Sequence, residues 1–491
     1  NYSQLFLALV IQQRLVIAVV MNLINFRSHY VTFLTILCCA SIETFAHSKF
    51  YVNLMKTTNF AGENVEHEPA AAPDTVNNHR PPPKLRGSNG ANTDRIFRAI
   101  WDLPNSCKER FGIELPLSDF GIEFNSNHQG TGGNVINLFY SNELGLYPRY
   151  EYAAGSKSTK TPIPINGGLP QLANITQHLE KSAADIISTI PDPNFDGVSV
   201  IDWEAWRPQW HDNFDTLAVY QQESIAHVKK MHPEWDNATV ELVAKLEWTQ
   251  GAKLFMESTL KLGTTLRPKA SWGYYAYPYC FNNKETANMS CTATAVATNN
   301  DVMWLFNESS SLYPSIYLRP THTNQKAYVK SKLEEAFRVR DRSGDPQGVV
   351  FSYTRFNYSH TGFFYSLENL NDTILQSAEL GVDGVIFWGD NFDDKSAEAC
   401  SHLQSYIKSA LGPTVRMSQE GAESCSKRIC SGKGRCVGDI LKCRGTRRLP
   451  AGARRKGTEE GDRGGNVCTC RCFRGWTGKD CGVPVKGKLN N

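Results

Sequence analysis

An apolar run, Gly197-Val198-Ser199-Val200-Ile201, ends in two acids one residue apart, Asp202 and Glu204, shortly before Pro208. If the run is a strand, its twofold repeat sends both carboxylates to the same side, into one cleft. Two carboxylates about 6 Å apart at an effective dielectric of ~20 repel by about 2.8 kcal/mol, roughly two pK units, so one keeps its proton near neutrality. A proton donor beside an anion is what glycosidic cleavage needs. Neighbours on one strand do not straddle an anomeric carbon from opposite faces, the arrangement of both ordinary two-carboxylate mechanisms. The attacker must then come from elsewhere. A sugar with a 2-acetamido group carries one in its own carbonyl oxygen, leaving Glu204 as acid and then base, with Asp202 holding the acetamide nitrogen. An isolated D-x-E is otherwise more often a solvated strand end.

The elements around the pair favour a parallel α/β fold. Residues 134–140, 197–203 and 382–388 read as strands, and 175–189, 239–262 and 325–340 as helices, the last two with apolar residues at three and four spacing. With no polar linker interrupting the alternation, a single closed (β/α) barrel over 94–412 is expected rather than an open sheet. On such a barrel, catalytic groups gather at the carboxyl ends of the strands. The chain has 491 residues, 41% of them apolar, enough for one large core, and its 52 Lys plus Arg against 49 Asp plus Glu give no general field that demands nucleic acid. Residues 21–46 read as a secretory signal and 1–20 as an upstream or incomplete precursor segment. Residues 47–93, with Arg80-Pro81-Pro82-Pro83-Lys84, read as a flexible linker. No later run is long and apolar enough for a membrane anchor. Sequons at Asn174, Asn237, Asn288, Asn307, Asn357 and Asn371 are candidate glycosylation sites. A secreted or lysosomal monomer is the expectation.

Fourteen cysteines also suit secretion; with Cys38 and Cys39 lost in the signal, twelve remain. From Cys425 the spacings C-x4-C-x5-C and C-x-C-x8-C, with Gly475-Trp476 and Gly478 inside the last, resemble an epidermal-growth-factor-like module over 421–483. That resemblance implies Cys425 with Cys436, Cys430 with Cys470, and Cys472 with Cys481. An insertion, 437–467, adds Cys443 and Cys468, expected to join each other, and a basic stretch from Lys442 to Lys456 that reads as a solvated loop or a polyanion contact. Zinc is disfavoured, because the region holds no His and lacks two C-x2-C knuckles. No His cluster elsewhere suggests a metal. Gly130, Gly132 and Gly133 read as a flexible loop rather than a phosphate cradle, so no cofactor is expected.

Several motifs in one order closely resemble the hyaluronidase family, glycoside hydrolase family 56. They are residues 201–208 (IDWEAWRP), Phe139-Tyr140-Ser141 with Leu144-Gly145-Leu146-Tyr147-Pro148, Gly167-Gly168-Leu169-Pro170-Gln171, Trp272-Gly273-Tyr274-Tyr275, and Leu312-Tyr313-Pro314-Ser315-Ile316-Tyr317. The resemblance implies a distorted barrel that cleaves β-1,4 bonds after N-acetylglucosamine in hyaluronan, and more slowly in chondroitin. It places the proton donor on Glu204, acetamide positioning on Asp202, and an aromatic pocket on Tyr140, Tyr275, Tyr313 and Trp388. It also implies bridges Cys107–Cys400 and Cys280–Cys291. Two departures stand out. Ser309-Ser310-Ser311 occupies a place where many relatives carry an Arg, so a basic contact to substrate carboxylates is expected to be missing, and Tyr358-Ser359-His360 stands where relatives often carry an Asp. A chitinase-like D-G-x-D-x-D-x-E fails on register, since Glu204 lies one residue too far from Asp196. The non-enzyme alternative is a catalytically weak glycosaminoglycan-binding protein.

Overall fold

The computed structural model describes residues 96–126, 132–152, 161–282, 290–345, 347–358, 361–389, 394–443 and 468–485. The upstream segment, signal and linker, Asn288, and most of the basic insertion lie outside them. Among these residues, eight parallel strands build the core: β1 (Arg98–Trp101), β2 (Glu123–Phe124), β3 (Ile136–Tyr140), β4 (Val198–Asp202), β5 (Ser271–Tyr274), β6 (Ser311–Leu312), β7 (Val349–Thr354) and β8 (Gly384–Phe387). One sheet runs β2-β1-β8-β7-β6 and a second β3-β4-β5. A parallel bridge between Tyr275 and Tyr313 links β5 to β6, reinforced by Ser310 N–H on the Trp272 carbonyl at 2.9 Å.

The remaining seam, β2 to β3, is closed by a side chain. Asn125, just past β2, accepts from the Val135 and Ile136 amides at 2.9 and 3.0 Å and donates to the Ile136 carbonyl at 2.8 Å, so its amide stands in for a strand backbone. A Cβ at Gly133 would sit 2.1 Å from Asn125 Cγ. Gly132 and Gly133, expected as loose loop, are thus part of the closure. Among the described residues no helix lies between β2 and β3.

The outer helices begin where the sequence offers caps: Asn174 accepts from Gln177 N–H ahead of Ile175–Thr189, Asp236 from Thr239 N–H ahead of Asn237–Leu266, and Asn324 from Ala327 N–H ahead of Gln325–Arg342. Inside the barrel, Ile100, Ile136, Leu138, Val198, Val200, Phe351, Tyr353 and Ile386 form one apolar cluster. These positions fix which parity of each strand faces inward.

Cys107 is bonded to Cys400 and Cys280 to Cys291. The boundary expected between 412 and 421 falls within the Gly412–Ile429 helix, which carries Cys425. Beyond it lie two antiparallel pairs, Gly434–Val437 with Thr469–Cys472 and Trp476–Thr477 with Val483–Pro484. They are held by Cys425–Cys436, Cys430–Cys470, Cys443–Cys468 and Cys472–Cys481. The sulfurs of Cys425, Cys443 and Cys468 lie within 4.8 Å of one another, but each is spent in a disulfide and offers no thiolate to a metal. This disulfide-rich region grips the amino ends of the strands: Arg435 pairs with Asp383 at 2.8 Å and bonds the Ile96 carbonyl, and Arg474 pairs with Asp345 at 2.6 Å. It therefore covers the barrel floor, opposite the carboxyl ends.

Asn174, Asn237, Asn307 and Asn371 are exposed. Asn357 is corrected: it is 1% exposed, and its Oδ1 accepts from Arg355 Nε and Nη2 at 3.2 and 3.0 Å, so no glycan can be attached in the folded state. Among the described residues, no helix is long and apolar enough to cross a membrane.

Candidate functional site

The inward parity of the strands delivers the site. Ile100 is followed by Asp102, Leu138 by Tyr140, Val200 by Asp202 and Ile386 by Trp388, each two residues on and so on the same face. Trp203, of opposite parity, turns outward and packs against Tyr147 at 4.6 Å and Phe255 at 5.5 Å. Asp202 and Glu204 thus flank a residue anchored in the helix layer. Beyond them the loop is pinned by Asn213, whose Oδ1 accepts from Arg207 N–H at 2.9 Å and whose amide donates to the Arg207 and Gln209 carbonyls.

Asp202 Oδ1 is buried with no hydrogen-bond partner among the described residues. Burial, then the charges of Glu204 and Asp102, push the Asp202 pKa up to about 8. Glu204 is solvent-exposed by surface area, yet protein crowds it enough that lost hydration is the largest influence and raises its pKa, with Arg207 opposing. The two titrate as a pair, so its protons are shared property rather than fixed on one acid. Arg207 sits within a cage of aromatic rings, 5.2 Å from Phe214, 5.0 Å from Tyr279 and 5.4 Å from Phe281.

Rings wall the cleft. Trp388 Nε1 donates to the Tyr140 hydroxyl at 3.2 Å, and Trp388 stacks on Tyr317 at 6.2 Å and 14°. The Tyr275 hydroxyl donates to Ser315 Oγ at 3.2 Å and also hydrogen-bonds Tyr317; its pKa is raised by burial and by the Glu204 charge. Tyr140, Tyr275 and Trp388 are therefore brought together with the acids. Tyr313 is not. It is 0% exposed in the barrel core, and its hydroxyl donates to the Ser271 carbonyl at 2.5 Å, at the amino end of β5. The ring in the cleft is Tyr317, four residues later in the same motif. Ser310 and Ser311 also lie toward the barrel floor, bonded to Trp272 N–H and the Val349 carbonyl. An Arg missing there removes nothing from the cleft.

Sequence reasoning missed Asp102, Tyr317, Ser315 and Arg207. Asp102 carried the same signal as Asp202, an acid two residues after an inward apolar residue at a strand end.

A model of the hyaluronidase family matches residues 88–484. The chain belongs to the hyaluronidase family. It is 38% identical over 352 residues to human Hyaluronidase-1, covering 70% of this chain and 79% of that protein, and 35% identical over 413 residues to pig Hyaluronidase-1, covering 79% and 92%. Among solved structures it is similar to bee venom hyaluronidase in complex with a hyaluronic acid tetramer, with a TM-score of 0.60 and 33% identity, covering 65% of this chain and 98% of that one. As a hyaluronidase it is a glycoside hydrolase built on a distorted (β/α) barrel with a disulfide-rich C-terminal region. The hyaluronidase match takes in both the acid pair and that C-terminal region.

Proposed function

We propose that this protein hydrolyses the β-1,4 bonds after N-acetylglucosamine in hyaluronan, and more slowly those of chondroitin, with retention of configuration. Glu204 protonates the leaving oxygen while the sugar's own acetamido carbonyl attacks C1. Asp202 accepts the acetamide N–H as positive charge develops, and Glu204 then takes a proton from the water that opens the oxazoline. The observation that carries this reading is the buried, unpartnered Oδ1 of Asp202 beside a solvent-facing Glu204. That oxygen lacks a donor which a bound acetamide can supply. Among the described residues, the carboxylate across the mouth, Asp102, is a poor rival nucleophile, since burial lifts its pKa to about 7 and Tyr353 occupies its Oδ2 at 2.9 Å. The names of the relatives, and the hyaluronic acid tetramer bound by the bee venom protein, support the choice of polymer. The bridges and exposed sequons support a secreted or lysosomal protein.

The test is the stereochemistry of the first products. Proton NMR of an early hyaluronan digest is expected to show the β-anomer ahead of mutarotation, and an initial α-anomer rejects the mechanism. Because hydrolysis needs the pair to hold one proton on Glu204, turnover declines as pH rises through the pair's raised pKa and the last proton is lost.

The two tyrosines of one motif separate function from packing. Tyr317→Phe is expected to cut kcat by about tenfold or more with little change in melting temperature. Tyr313→Phe is expected to cost about 1 kcal/mol of stability, by deleting the buried hydrogen bond to the Ser271 carbonyl, with turnover retained. Viscometric assay and thermal melts of both variants would expose the reverse pattern.

A further inference from the structure

Asp102 is an acid at the barrel mouth, among the described residues, that this chemistry leaves unused. It extends β1, its N–H donating to the Phe387 carbonyl at 2.9 Å, and its inward parity aims the carboxyl over the core rather than at the helices. From β7 the Tyr353 hydroxyl donates to Oδ2 at 2.9 Å, and the Tyr353 ring stands edge-on to Tyr275 at 5.1 Å. From β3 and β4, Tyr140 and Asp202 lie in register with each other and both feel the Asp102 charge, with Glu143 bonded behind Tyr140. Just past β8 the neighbour is Trp388, with Arg355 5.1 Å from its ring. At the far end of β1, Arg98 is taken by Glu123 on β2 at 2.6 Å. Among the described residues, Asp102, Asp202 and Glu204 thus share one mouth.

We propose that Asp102 is a positioning residue of the hydrolysis: held on the Tyr353 hydroxyl within the electrostatic reach of Asp202, its carboxylate sets the pH range over which the Asp202–Glu204 pair retains the proton that catalysis spends. The inference rests on the proposed roles of that pair. Asp102 touches no reacting atom in this account and acts through charge. When it ionises, its negative charge opposes loss of protons from the pair and keeps the acid form populated to higher pH. Its burial supports the same picture, because the group changes charge at about pH 7, within reach of the working range.

The test is the pH profile of hyaluronan turnover for the wild type, Asp102→Asn and Tyr353→Phe. Asn matches the shape of Asp and still accepts from Tyr353, but it is neutral at every pH. The pair then loses its proton more easily, and the basic limb of kcat is expected to move toward acid by on the order of one pH unit, the size of effect that one nearby unit charge has on a buried carboxyl. Tyr353→Phe removes the hydrogen bond that favours the Asp102 anion, so Asp102 stays neutral to higher pH and the limb moves the same way by less. A limb that stays in place, or activity lost by one factor at every pH, overturns the proposal. If Asp102→Asn does not fold, an unmoved limb in Tyr353→Phe overturns it equally. Wild-type protein without turnover rejects the functional reading as well, whereas wild-type turnover with unmoved limbs rejects only the role of Asp102.

Discussion

Glu204→Gln is expected to lower hyaluronan hydrolysis by about 10³-fold, within the range that a positioned general acid contributes, while the protein folds as before. Gln keeps the shape of Glu and can still donate a hydrogen bond, but it has no proton to transfer to the leaving oxygen. The fold should be indifferent because Glu204 is exposed and stands past the end of β4. Removing its charge also relieves Asp202, whose pKa it helps to raise, so the melting temperature at neutral pH should hold or rise. A zymogram on hyaluronan paired with a thermal melt separates the outcomes. A folded variant with turnover within an order of magnitude of the wild type removes Glu204 from the proton-donor role.

Asn125→Ala is expected to be the most destabilising polar substitution in the barrel, at about 4 kcal/mol. It deletes three hydrogen bonds at once and leaves the Val135 and Ile136 amides and the Ile136 carbonyl facing a seam with no strand partner. Each orphaned buried group costs roughly 1–3 kcal/mol. Asn125→Asp retains the acceptor for both amides but loses the donor, so an intermediate loss is expected. Urea titration gives the readout, a lower midpoint at an unchanged slope. A loss below about 1 kcal/mol for Asn125→Ala would mean that water or a shifted backbone closes the seam instead. Turnover by Asn125→Ala at low temperature should be largely retained, since the acid pair stands at the end of β4, beyond β3.

The position of the C-terminal region bears on how the enzyme is organised. Asp383, Ile96 and Asp345, the points it holds, precede β8, β1 and β7. A parallel barrel puts its strand starts on one rim and its chemistry on the other. The disulfide-rich region therefore steadies the floor and leaves the cleft to the loops after the strands.

Much of the site was legible in the chain because a strand's period of two is a local property. The run Val198-x-Val200-x-Asp202 assigns the acid to the same face as the valines whatever the rest of the protein does, and the alternation of apolar runs and capped helices favours a parallel barrel. Parity fixes a face, however, and not a height. Tyr313 and Tyr317 have the same parity in one motif, yet one reaches down to Ser271 and the other up to Trp388. Only the stagger of β6 against β5 and β7 tells them apart. Asp102 carried the local signal of an acid at a strand end, but the partner that holds it, Tyr353, is 251 residues away. Asn357 satisfied a three-residue glycosylation rule that is blind to the Arg355 side chain filling its environment, and Asn125 gave no sign that an amide would serve as the missing strand. By itself the sequence determined the acid pair, the direction it faces and the class of fold, since these follow from residue spacing along one element. The tertiary structure decided which ring, which third acid and which amide complete the site and the barrel, because those depend on distances between segments hundreds of residues apart that no local period encodes.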